Sequence, residues 1–90
     1  MIEKQIAIGH QMGLHARAAA KLVQLTRRYK SEIVLLRNDP HGGGNSREAD
    51  ARSILAILLL AAGHGSTVSV RASGVDEGEA VDCICEYLKG

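Results

Sequence analysis

The spacing of hydrophobic and polar residues changes several times along the chain, and each change marks an element. Ile2, Ile6 and Ile8 share one parity, with Glu3 and Gln5 on the other. That two-residue period predicts a half-buried strand, followed by a loop over Gly9 to Met12. From Ala16 to about Lys30 the period becomes helical, with Ala19, Leu22, Val23, Thr26 and Tyr29 on one side. Lys21, Arg27, Arg28 and Lys30 are its solvated positions. Ile33 to Leu36 reads as a second strand. Asn38 to Asn45 holds the only proline and three consecutive glycines, a strong loop signal. Ser46 to Arg52 alternates weakly and is expected as a polar edge strand.

Ile54 to Ala62 is apolar at every position. Ser53 can cap this helix, and Gly63-His64-Gly65 is expected to stop it. Thr67 to Ser73 is the cleanest strand, with Val68, Val70 and Ala72 alternating with polar residues. Gly74 turns the chain. Asp76 and Glu79 then have the spacing of a capping box. Ala80, Val81, Ile84 and Leu88 mark the inner face of a last helix. The order is β-α-β-β-α-β-α. It predicts an α+β open-faced β-sandwich, with a four-stranded antiparallel sheet and three helices on one face.

Composition narrows this. Ninety residues suit a single domain over 1–90 with one core. There are two Tyr and no Phe or Trp, so the core must be aliphatic. A net charge of +1, with no basic stripe interleaved with aromatics, argues against a nucleic-acid partner. The longest apolar run is too short to span a bilayer, and Met1 to Gly9 is too short for a signal peptide. A cytoplasmic chain is therefore expected. Cys83 and Cys85 point apart on a helix and favour neither a disulfide nor a shared metal site. His10 and His64 have no partner at metal-ligand spacing and read as surface histidines, a place near the His15 loop being the alternative for either. No metal and no cofactor is expected.

The candidate chemistry sits at Gly13-Leu14-His15-Ala16-Arg17-Ala18-Ala19-Ala20. Glycine allows a sharp turn, and a run of helix formers follows. His15 falls at the helix N-cap and Arg17 in the first turn. Free backbone donors and the helix dipole favour an anion there. An imidazole nitrogen is nucleophilic near neutral pH, and a guanidinium can clamp phosphoryl oxygens with two donors. His15 with Arg17 is thus either a phosphoryl-accepting site or a helix cap beside a solvated charge. The apolar helix from Ile54 cannot be buried all round in so small a fold. Leu55 and Leu58 are expected as an exposed docking patch, a packed short helix or dimer contact being the alternative. Ser53 has a plain capping role, and a phosphoryl group there would also suit the dipole.

Together, Gly13-Leu14-His15-Ala16-Arg17, Ser53-Ile54-Leu55, Gly65-Ser66-Thr67-Val68 and the element order resemble the HPr family. These are the histidine phosphocarriers of the bacterial phosphotransferase system, and the likeness is strongest to the HPr and NPr branch of proteobacteria. The resemblance implies an HPr-like fold and a carrier rather than an enzyme. It implies that His15 accepts a phosphoryl group from enzyme I on Nδ1 and passes it to an EIIA-type protein. Arg17 matches the assisting arginine, and the Ala16 and Arg17 amides match the phosphate cradle. Ser53 matches a serine that a dedicated kinase phosphorylates in some lineages, and Leu55 and Leu58 match docking positions. A monomer is expected, with no membrane partner. Two residues depart from the common pattern: Ala18 replaces a proline, and Met12 replaces a polar residue. A regulatory module switched at Ser53 or His15 without carrier flux is the alternative reading. A generic ligand-binding domain is a third.

Overall fold

In a computed structural model, residues 1–38 and 46–90 are described. The glycine-rich loop expected from Asn38 lies, over 39–45, outside the described residues. The elements follow the expected order: β1 (Ile2–Ala7), α1 (Ala16–Thr26), β2 (Glu32–Asn38), β3 (Ser46–Asp50), α2 (Ile54–Leu60), β4 (Thr67–Ser73) and α3 (Glu77–Leu88). The four strands form one antiparallel sheet in the order β1-β4-β2-β3, so β3 is an edge, as its polar sequence predicts. β4 sits inside the sheet, with Val70 opposite Lys4 on one side and Leu35 on the other.

The core lies between the sheet and the helices. Val68, Val70 and Ala72 of β4 and Ile33 and Leu35 of β2 face it and are buried. From the helices come Leu22 and Val23, then Ile57 and Leu60, then Ala80, Val81, Ile84 and Leu88, all buried. Each large aliphatic side chain removed from water contributes about 1.5–3 kcal/mol. With no Phe or Trp, many such chains share that role.

Three local expectations are corrected. The first helix ends at Thr26 instead of Lys30. Arg28 and Tyr29 make tighter bonds to Leu25 and Thr26 carbonyls, and the Asp76 carboxylate then accepts from the Lys30 and Ser31 amides at 2.8 and 2.9 Å. Those two N–H groups are therefore satisfied outside a helix. The same bonds overturn the capping box: Asp76 stands at the N-cap of α3 but makes no side-chain cap bond there, because Ser31 holds it. Glu77 instead accepts from the Gly74 amide at 3.3 Å. Finally, α2 stops at Leu60. Its cap is Ala61, left-handed at φ 56°, two residues before the glycine expected to do this.

Candidate functional site

Gly13 is the hinge of the site. It is buried with φ +67°, and a Cβ there would lie 2.7 Å from the Ala62 carbonyl oxygen. Both the backbone angle and the close approach require glycine. Leu14 is buried beside it, and its N–H donates to Ala62 O at 3.0 Å. These contacts fix the chain against the end of α2 just before His15.

His15 is the N-cap of α1, extended at φ −78° and ψ 178°. Its carbonyl accepts the Ala19 N–H at 2.8 Å, the first bond of the helix. Its ring turns back over the helix start, and Nδ1 accepts the Arg17 N–H at 3.2 Å. A ring nitrogen that accepts a hydrogen bond carries no proton, and the in-plane lone pair of Nδ1 is engaged by the Arg17 N–H. The ring is half-buried, while Ala16 and Arg17 are exposed. The first turn of α1, with the positive end of the helix dipole, thus lies beside this nitrogen, and the Arg17 amide already points at it. An anion bonded to Nδ1 would meet those donors and the Arg17 side chain.

The other singled-out residues lie along α2. Ser53 caps it, accepting the Ala56 N–H on Oγ at 3.1 Å. Ser53 is not brought to His15. The His15 loop touches the far end of α2, about 10 Å along an axis rising 1.5 Å per residue. Ile57 and Leu60 face the core, while Leu55 is 67% and Leu58 38% exposed. The exposed set is wider than expected and includes Leu59 at 67% and Ile54 at 43%. Leu55, Leu58 and Leu59 are three and four residues apart and form one face. An all-apolar helix gives no periodic signal for which side the sheet covers.

Sequence reasoning also missed Arg37. From the core-facing side of β2 its Nη1 donates to the Leu60 and Ala61 carbonyls at 3.2 and 2.7 Å. A cation at the C-terminal end of α2 satisfies its orphan carbonyls and suits its dipole. His10, expected at the surface, is half-buried, with Nε2 2.7 Å from the Tyr87 carbonyl oxygen. Among the described residues there is no cluster of three metal-ligating side chains and no helix long and apolar enough to cross a membrane.

The sequence model of the family described as "PTS HPr component phosphorylation site" matches residues 2–90. The chain belongs to the HPr family. Phosphocarrier protein HPr of Cupriavidus necator is 42% identical over 88 residues, which cover 98% of this chain and 91% of that one. Phosphocarrier protein NPr of Shewanella violacea is 36% identical, covering 97% of this chain and 88% of its own. Among solved structures, HPr from Thermoanaerobacter tengcongensis superposes with a TM-score of 0.83 at 31% identity, covering 99% of this chain and 92% of that one. A dimeric form of HPr from the same organism superposes at 0.67 and 32% identity, covering 96% and 91%. The HPr fold expected from the element order is therefore the fold observed. HPr proteins are phosphocarriers of the phosphotransferase system and not enzymes.

Proposed function

We propose that this HPr-family chain accepts a phosphoryl group on His15 Nδ1 from phosphorylated enzyme I and passes it to an EIIA-type protein. The observation that carries the reading is the Arg17 N–H donated to Nδ1 at the start of α1. It turns an unprotonated Nδ1 toward the first turn of the helix. As the Arg17 N–H moves from Nδ1 to a phosphoryl oxygen, the lone pair it releases forms the new P–N bond, and the donor's bond to phosphorus breaks with its electron pair staying on the donor. Phosphoryl oxygens then take the Ala16 and Arg17 amides, and the Arg17 guanidinium offsets their charge. The reverse sequence hands the group on. Leu55 and Leu58, with Leu59 and Ile54 beside them, form an apolar docking face for both partners. Ser53 is the regulatory phosphorylation position: a dianion at the cap of α2, next to Leu55, would be desolvated by any partner docked on that face. Work of this kind belongs in the cytoplasm.

The deciding experiment mixes the purified chain with phosphoenolpyruvate and enzyme I. The wild type gains one acid-labile phosphoryl group and releases it to an EIIA-type protein. His15→Ala gains none. Labelling that persists in His15→Ala moves the acceptor elsewhere. A phosphorylated wild type that binds EIIA-type proteins but never transfers would mark a regulatory module instead.

A further inference from the structure

The loop that carries His15 is clamped at two places. One side rests on the end of α2, through Leu14 N–H and Ala62 O. The other rests on the end of α3. Gly9 N–H donates to Leu88 O at 2.9 Å, and a Cβ on Gly9 would lie 1.9 Å from Lys89 O. His10 completes this second clamp. Its Nε2 lies 2.7 Å from the Tyr87 carbonyl oxygen, and its ring packs on the Tyr87 ring at 4.8 Å between centroids, tilted by 47°. A carbonyl can only accept, so His10 Nε2 donates. The Tyr87 and Leu88 carbonyls belong to the last turn of α3, and Tyr87 O also accepts the Gly90 N–H at 3.2 Å. The loop therefore shares the capping of that helix with Gly90.

His10 also shapes the path to His15 directly. Its own carbonyl accepts the Gly13 N–H at 2.9 Å, closing a turn over residues 10–13. Gly13 and Leu14 then lead straight into the N-cap. Met12, within the turn, is 78% exposed and apolar, so it supplies no bond to hold the turn. The only polar side chain between Gly9 and His15 besides Gln11 is His10, and Gln11 is exposed.

We infer that His10 is a positioning residue for phosphotransfer: its imidazole latches the phosphoacceptor loop to the end of α3 and so sets where His15 Nδ1 stands relative to the first turn of α1. The inference rests on His15 being the acceptor. His10 takes no part in bonding phosphorus. Losing the latch leaves the docking leucines of α2 in place and loosens the geometry of the reacting nitrogen.

The test compares His10→Ala and His10→Gln with the wild type in phosphotransfer from enzyme I over a range of carrier concentrations. Melting curves are recorded alongside. Glutamine reaches about as far as Nε2 and keeps a donor for Tyr87 O. His10→Ala is expected to lower kcat by about tenfold with KM changed by less than about twofold, because small misplacements of reacting atoms act on the chemical step. His10→Gln is expected to restore most of the loss. In NMR spectra, the Arg17 amide and His15 ring-nitrogen signals should move in His10→Ala and return in His10→Gln, a readout independent of turnover. Should His10→Ala be unfolded at the assay temperature, His10→Leu keeps packing against Tyr87 while removing the donor. A wild-type kcat in the folded variant without a donor, or a loss that glutamine does not restore, overturns the inference. If His15→Ala is still labelled, the acceptor assignment itself has failed. If His15→Ala is silent and the His10 variants transfer normally, only the latch has failed.

Discussion

Replacing Ala61 with glycine tests how α2 ends. Ala61 is left-handed at φ 56° and ψ 36°, and it is the only non-glycine residue with positive φ among the described residues. An L-residue there costs roughly 1–2 kcal/mol, because Cβ crowds the backbone carbonyl. Glycine removes that cost but adds about 0.4–1 kcal/mol of freedom to the unfolded chain. The difference favours Ala61→Gly by about 0.5–1 kcal/mol, which in a domain of this size raises Tm by roughly 2–6 °C. Gly63 is the control. Its φ is not positive, and a Cβ there would meet nothing within 4 Å. Gly63→Ala should therefore hold Tm or raise it, since alanine restricts the unfolded chain at no native cost. Thermal denaturation by circular dichroism measures both. Arg37 and Leu14 bind backbone carbonyls of residues 60–62, so phosphotransfer should be unchanged in both variants. If Ala61→Gly melts lower and Gly63→Ala also melts lower, the left-handed residue is Gly63 and this account of the helix end is wrong.

Two further outcomes follow from neighbouring parts of the fold. On α2, Leu55→Gln should leave stability within about 0.5 kcal/mol, because the side chain is already in water, whereas Ile57→Ala should cost about 2–5 kcal/mol. Denaturant melts check both, and the assay with enzyme I should show Leu55→Gln raising KM; an unchanged KM would remove Leu55 from the docking face. At Asp76, the Ser31 hydroxyl and then the Lys30 amide hold the carboxyl below its ordinary value of 3.8. A depressed value means that the folded state favours the charged form, so the stabilisation is complete above pH 3.8 and fades as pH falls below it. The Tm gap between wild type and Asp76→Asn should narrow on that descent, and a gap that widens towards acid would contradict the bonding described.

The parts of the fold legible in the sequence are those decided by neighbours in the chain. β4 occupies Thr67–Ser73 as its alternation predicts, and the inner face of α3 is the expected Ala80, Val81, Ile84 and Leu88. The caps at His15 and Ser53 are each closed by a bond within three residues. What could not be read depends on partners far away. α1 does not run on to Lys30 because Asp76, 45 residues beyond Ser31, takes the Lys30 and Ser31 amides. Arg37 looks like any strand cation until α2 lies beneath it. The exposed face of α2 was open in the sequence because all its residues are apolar, and only the sheet decides that Ile57 goes in and Leu59 stays out.

The same division runs through the candidate site. Its chemistry needs a nucleophile, two amides and a guanidinium, and Gly13 to Arg17 supply these from consecutive residues. A helix start assembles them without help from the rest of the chain, which is why a short motif suffices to suggest a phosphoryl site. Its orientation is another matter. The ends of α2 and α3, through the Ala62 and Tyr87 carbonyls, hold the loop from opposite sides. Those contacts exist only after the chain has closed, and backbone carbonyls leave no mark in a sequence. Side chains that reach them do, and His10 is one. A histidine with no metal-ligand partner thus acquires a role from the helix end it meets. Changes near Tyr87, far from His15 in the chain, should therefore reach phosphotransfer through the same clamp.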